Sequence, residues 1–102
     1  MTTICLNMIV KNESQIITRL LKSVVNIIDT YVICDTGSSD NTINIIESYF
    51  NDKNIYGEII EESFKNFEYN RNIALNYARN KADYILFLDA DMKLVITSKF
   101  NI

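Results

Sequence analysis

Apolar and polar positions fall in blocks along the chain, and their period switches between that of a strand and that of a helix. Ile4 to Val10 is an apolar run interrupted by Asn7, and it predicts a first strand. Asn12 and Gln15 stand at capping-box spacing, with Asn12 as N-cap and Gln15 reaching back. Ile16, Ile17, Leu20, Leu21, Val24 and Ile27 or Ile28 follow at helical period, which predicts a helix to about Asn26. Tyr31 to Cys34 reads as a second, short buried strand. It ends in Asp35-Thr36-Gly37-Ser38-Ser39-Asp40, a dense turn-and-cap segment. A second amphipathic helix uses Ile43, Ile46, Tyr49 and Phe50. Ile55 to Glu62 is a third strand, less apolar and so nearer a sheet edge. Phe64 to Glu68 reads as a loop, and residues 69–80 carry Ile73, Ala74, Tyr77 and Ala78 on one helical face. Tyr84 to Leu88, five apolar residues between two acids, predicts a fourth strand buried on both faces.

Strands alternating with helices of about ten to fifteen residues imply a parallel α/β sheet with right-handed crossovers. The loops after strands one, two and four then leave the same edge of that sheet. They carry Lys11-Asn12-Glu13, Asp35-Thr36-Gly37-Ser38 and Asp89-Ala90-Asp91. Ligands of open α/β sheets bind beyond the carboxyl ends of the strands. A site is therefore expected there, with the segment Phe64 to Arg71 contributing.

Composition narrows the partners. The 102 residues allow one domain, 1–102, with a real core. The net charge of −3, without a basic cluster, argues against nucleic acid and membrane surfaces as partners. Cys5 and Cys34 sit inside apolar runs and the chain has no His, so they read as buried hydrophobes in a reducing compartment. No signal peptide, membrane span or lipidation pattern is apparent, and cytoplasm is the expected location. The absence of His also excludes a Ser-His triad.

Candidate chemistry centres on the carboxylates. Asp89 and Asp91, one residue apart after a strand, suit a hard divalent cation that shares its shell with phosphates; a solvated loop is the alternative. Asp35 could accept hydrogen bonds from a pyrimidine or a ribose, or could cap its own turn, in which Gly37 is free to take positive φ. Ser38, Ser39 and Asp40 read as capping residues, and Glu13 as a solvated loop acid. Arg71, expected in the first turn of the third helix, faces the acidic site and could fork onto phosphate or base oxygens. Phe64 and Phe67 could stack on a base or pack over the sheet edge. Asp35-Thr36-Gly37 also matches the dimeric aspartic-protease motif. That fold is nearly all β, whereas here the motif opens a helix.

Four blocks, taken in order, resemble the inverting family 2 glycosyltransferases of GT-A fold. They are Met8-Ile-Val-Lys-Asn-Glu13, Val32-Ile-Cys-Asp-Thr-Gly-Ser-Ser-Asp-Asn-Thr42, Asn66-Phe-Glu-Tyr-Asn-Arg-Asn-Ile-Ala-Leu75 and Asp83-Tyr-Ile-Leu-Phe-Leu-Asp-Ala-Asp-Met92. The resemblance implies a three-layer α/β/α Rossmann-like domain that binds a nucleotide-diphospho-sugar, a UDP-sugar above others. The end of strand one (Ile9 to Lys11), Asp35 and Arg71 would hold base and ribose. Asp89 would face the ribose or the sugar, and Asp91, with Asp89, would hold Mn²⁺ or Mg²⁺ on the diphosphate. Many relatives have a second acid after strand two, where this chain has Thr36. Relatives also continue well past the Asp-x-Asp, into a half that supplies the acceptor pocket and general base. Residues 93–102 would be the start of that half or a tail, and the acceptor is unspecified. A non-catalytic nucleotide-sugar-binding or oligomerisation module is the alternative. The nucleotidyltransferases of this fold want a glycine-rich loop after strand one, and Met8 to Ser14 has no Gly. Self-association as a homo-oligomer through the flank of the fourth strand is expected.

Overall fold

A computed structural model describes residues 2–90. Seven elements alternate strictly: β1 (Ile4–Val10), α1 (Ile17–Val24), β2 (Thr30–Asp35), α2 (Thr42–Asp52), β3 (Tyr56–Glu61), α3 (Phe67–Ala78) and β4 (Tyr84–Phe87). The sheet has the order β3-β2-β1-β4, and every pair is parallel. The chain steps from β1 outward to β3, then crosses back to lie on the other side of β1. Parallel crossovers are right-handed, so this reversal puts α3 on the face opposite α1 and α2. The aspartic-protease reading falls with this topology, because Asp35 ends a parallel strand and leads into a helix.

Alternation along the strands separates two cores. Ile4, Leu6, Met8, Val10, Tyr31 and Ile33 point to the face covered by Ile17, Leu20, Leu21 and Val24 of α1 and by Ile46 and Phe50 of α2. Each fully buried aliphatic of this kind contributes about 1.5–3 kcal/mol relative to exposure. The Tyr31 ring stacks on Phe50 with centroids 4.3 Å apart. Tyr31 also pairs with Gly57 across the strands, and a Cβ at Gly57 would collide with the Tyr31 carbonyl oxygen. The opposite face is smaller: Cys5, Val32 and Ala78 form its centre. There the buried Asn7 side chain donates to the Val32 carbonyl at 2.9 Å and the Ala74 carbonyl at 3.1 Å, tying α3 to the sheet. Both cysteines are buried and free, and burial pushes their thiols up.

Four expectations need correction. Asn12 is no N-cap: it takes a left-handed φ of 52°, and α1 starts at Ile17 without a side-chain cap. Residues 67 and 68 belong to α3, because Asn66 Oδ1 accepts from the Tyr69 N–H at 2.7 Å and starts the helix there. Tyr77, placed on its apolar face, is exposed, and Asn70, Ala74 and Ala78 are the buried positions instead. The fourth strand is not buried on both faces. Tyr84 is 47% exposed and Ile85 39%, since β4 is an edge among the described residues and α3 packs over β1 and β2. The third strand does lie at an edge, as its polarity predicts.

Candidate functional site

Parallel strands bring Val10, Asp35, Glu61 and Phe87 to one edge of the sheet. The reversal of strand order lies between β1 and β4, and such switch points open the crevice where α/β sheets take ligands. Ile9 is half-buried on β1 beside Cys34, and Lys11 follows, exposed, in the loop. Asp89 is exposed two residues past β4. Arg71 sits one turn into α3 rather than in its first turn.

Asp35 is buried to 1% exposure, and its two carboxylate oxygens differ. Oδ1 accepts from the Gly37 N–H at 2.9 Å and the Ser38 N–H at 2.8 Å. Gly37 takes a φ of 121°, so the turn uses the freedom that only glycine supplies cheaply. Oδ2 is buried and has no partner. A buried acceptor left empty costs about 1–3 kcal/mol, so such an atom points to a ligand. The capping alternative for Asp35 is thus met by Oδ1, and Oδ2 is left for the ligand-binding alternative.

A hydrogen-bonded clasp fixes this turn against the loop after β1. Asn12 Oδ1 accepts from the backbone N–H groups of Ser39, at 2.8 Å, and Asp40, at 3.3 Å. The Asn12 N–H donates to Ser38 Oγ at 2.9 Å. The Glu13 N–H donates to Thr42 Oγ1 at 2.8 Å, and Thr42 Oγ1 donates in turn to Asp40 Oδ1. Asp40 also accepts from the Ser14 N–H. The Thr42 hydroxyl above all, then the Ser14 hydroxyl and the Thr42 and Ser14 N–H groups, hold the Asp40 carboxyl down at about 2. Asp40 Oδ1 also takes the Thr42 N–H at the start of α2, at 3.0 Å, so Asp40 caps that helix while Ser38, Ser39 and Asp40 join the two loops. Sequence spacing concealed this, because Asn12 and Ser39 are 27 residues apart.

The third wall comes from α3. Asn70, fully buried, accepts from the Lys65 N–H at 2.9 Å and donates to the Glu62 and Ser63 carbonyls, so it shapes the segment after β3. Its polarity at the centre of a helix face was the signal for this role. Phe67 meets Phe87 edge to face, with centroids 6.5 Å apart, and so packs on the sheet edge. Phe64 is exposed. The Arg71 guanidinium lies over the Phe87 ring.

Among the described residues, no three His, Cys, Asp or Glu side chains group to hold a metal. Asp89 is described; Asp91 and residues 93–102 lie outside the described residues. A Mg²⁺-type ion needs only one or two carboxylates beside substrate phosphates. Asp89 offers one such carboxylate. No helix of the described residues is long and apolar enough to cross a membrane.

Comparison with known proteins agrees with this architecture. The model of Glycosyl transferase family 2 matches residues 5–94. The SPbeta prophage-derived glycosyltransferase SunS of Bacillus subtilis (strain 168) is 39% identical over 90 residues, covering 87% of this chain and 20% of that protein. The crystal structure of S. aureus TarS superposes with a TM-score of 0.69 at 26% identity, over 87% of this chain and 16% of that one. TarS 1-349 in complex with UDP-GlcNAc gives a TM-score of 0.69 and 26% identity, over 87% of this chain and 26% of that one. The chain spans about a fifth of the length of the curated relatives it matches. Its parallel sheet and crossing helices are the Rossmann-like part of the GT-A fold. This chain belongs to glycosyl transferase family 2.

Proposed function

We propose that this chain carries the nucleotide-sugar site of an inverting glycosyltransferase, with a UDP-sugar as donor. The observation that carries the reading is Asp35 Oδ2, a buried carboxylate oxygen without a partner at the mouth of a parallel sheet. Such an atom accepts from the imide N–H of a pyrimidine or from a ribose hydroxyl. Ile9 and Lys11 line the same edge from β1, and Arg71 offers a fork of donors from α3. The likeness to TarS, a structure of which holds UDP-GlcNAc, supports the choice of nucleotide.

In the proposed transfer, an acceptor hydroxyl gives its proton to a carboxylate base and attacks the anomeric carbon in line. The bond from that carbon to the diphosphate breaks and UDP leaves with its electron pair. Asp35 and Arg71 hold the nucleotide so that attack and departure are aligned. Mn²⁺ or Mg²⁺ on Asp91, with Asp89, would neutralise charge on the departing diphosphate. Two buried thiols suit a reducing cytoplasm, and the open flank of β4 suits a homo-oligomer.

Calorimetry of UDP with Mn²⁺ and with chelator tests the reading. Binding that tightens with metal is expected. Equal affinities would remove the metal from the site, and no binding under either condition would overturn the nucleotide-sugar reading.

A further inference from the structure

We infer that Phe87 is a positioning residue for Arg71: its ring holds the guanidinium at the carboxyl end of β4 and leaves the N–H groups for the nucleotide. This inference rests on the nucleotide-sugar reading above.

The contact has a cause in the sequence. Phe67 and Arg71 are four residues apart on α3 and so share one side of the helix. Phe87 pairs with Asn7 in the sheet, and Asn7 reaches the Ala74 carbonyl of α3, so Phe87 points to the face that α3 covers. The result is a short stack. Phe67 meets the Phe87 ring edge-on at an interplanar angle of 87°, and the Arg71 Cζ stands 5.2 Å from the Phe87 centroid. That distance lies inside the range of about 6 Å at which an aromatic face attracts a guanidinium.

What Arg71 lacks is equally informative. The chain is acidic overall, yet no carboxylate pairs with this guanidinium among the described residues; the ion pair found there joins Lys81 to Glu58. A salt bridge would occupy the N–H fork. The Phe87 ring attracts the guanidinium without engaging a carboxylate, and so leaves its N–H donors for oxygen acceptors. Arg71 is exposed, and a long exposed side chain otherwise loses rotamer entropy on binding. Phe87 reduces that loss in advance. Asp89 follows Phe87 by two residues, at the same carboxyl end of β4.

The test measures UDP affinity by calorimetry for the 102-residue chain and for F87L, F87Y, R71A and the F87L/R71A double variant. F87Y is expected to stay within about twofold of the parent, because it keeps the ring. F87L should weaken binding about three- to fivefold, the worth of an exposed cation–π contact. In the R71A background the same change should have no further effect. Phe87→pentafluorophenylalanine keeps the shape but reverses the ring's attraction, so it should show at least the same loss, about three- to fivefold, whether or not F87L folds well. Undiminished affinity in F87L and in the fluorinated chain, or an equal loss with and without Arg71, would overturn the positioning role. Absence of UDP binding by the parent chain would overturn the nucleotide-sugar reading itself, and the inference with it.

Discussion

Asn12 Oδ1 accepts the Ser39 N–H at 2.8 Å, so the loop after the first strand and the turn after the second are one piece of structure. The turn so held is the one whose Gly37 and Ser38 N–H groups grip Asp35 Oδ1 and leave Oδ2 open. Stability of the clasp and affinity at Asp35 are therefore expected to move together.

Asn12→Ala is expected to cost about 1–3 kcal/mol, from lost acceptor contacts and from a left-handed φ that Ala tolerates less well. Asn12→Gly keeps the backbone freedom and should cost less. Urea denaturation of the three chains checks this. Parental stability in Asn12→Ala would show that the clasp carries no load.

Asp35→Asn retains an acceptor for the Gly37 and Ser38 N–H groups but turns the buried Oδ2 into a donor. The fold should survive while UDP affinity falls about tenfold or more, the scale of a hydrogen bond to a charged group. Calorimetry with a circular-dichroism control decides the matter; a variant that is folded and binds like the parent would take Asp35 out of the site.

The Asp40 carboxyl lies at about 2, below its ordinary 3.8, chiefly because the Thr42 hydroxyl donates to it. A depressed carboxyl contributes stability that is complete above its unfolded value and is lost as pH falls through its folded one. The clasp should therefore weaken between about pH 4 and pH 2. In Asp40→Asn that titration is gone, so urea midpoints should decline less steeply across the interval. Parallel profiles for the two chains would refute the assignment.

Self-association should proceed through β4, whose outer side is unpaired among the described residues and whose Ile85 is 39% exposed. Ile85→Lys places a charge on that edge and should return the chain to monomer. Sedimentation at micromolar concentration would show it, and a monomeric parent would contradict the expectation.

The alternation of elements was legible because burial follows period: Leu20, Leu21 and Val24 could face a core only from a helix, and Leu6 and Met8 only from a strand. Asp35 was legible as a strand-terminal acid, although the division of labour between its oxygens depends on where the backbone turns. Asn12 was misread because an Asn three residues before a Gln satisfies the capping pattern whether or not the helix begins there. The depth of β4 was overestimated for a related reason. An apolar run records what a strand prefers, and says nothing of whether the neighbouring layer reaches it. Phe87 escaped notice as an ordinary strand residue, since its partner Arg71 belongs to another element.

The strand order also sets a timetable. β1 is synthesised early but borders β4, and the Asp83 carboxylate that receives the Thr3 N–H lies 80 residues further on. At about 5–20 residues per second, one side of β1 stays open for several seconds after β2 has emerged. During that interval the row Ile4, Leu6, Met8 can be covered by α1 and α2, but the backbone groups meant for β4 have only water or another nascent chain. Pairing β1 with β4 is thus the least local of the strand pairings among the described residues. The crevice between β1 and β4 that the ligand is proposed to use is born at the same moment, so a chain halted before Tyr84 would own a core but no mouth.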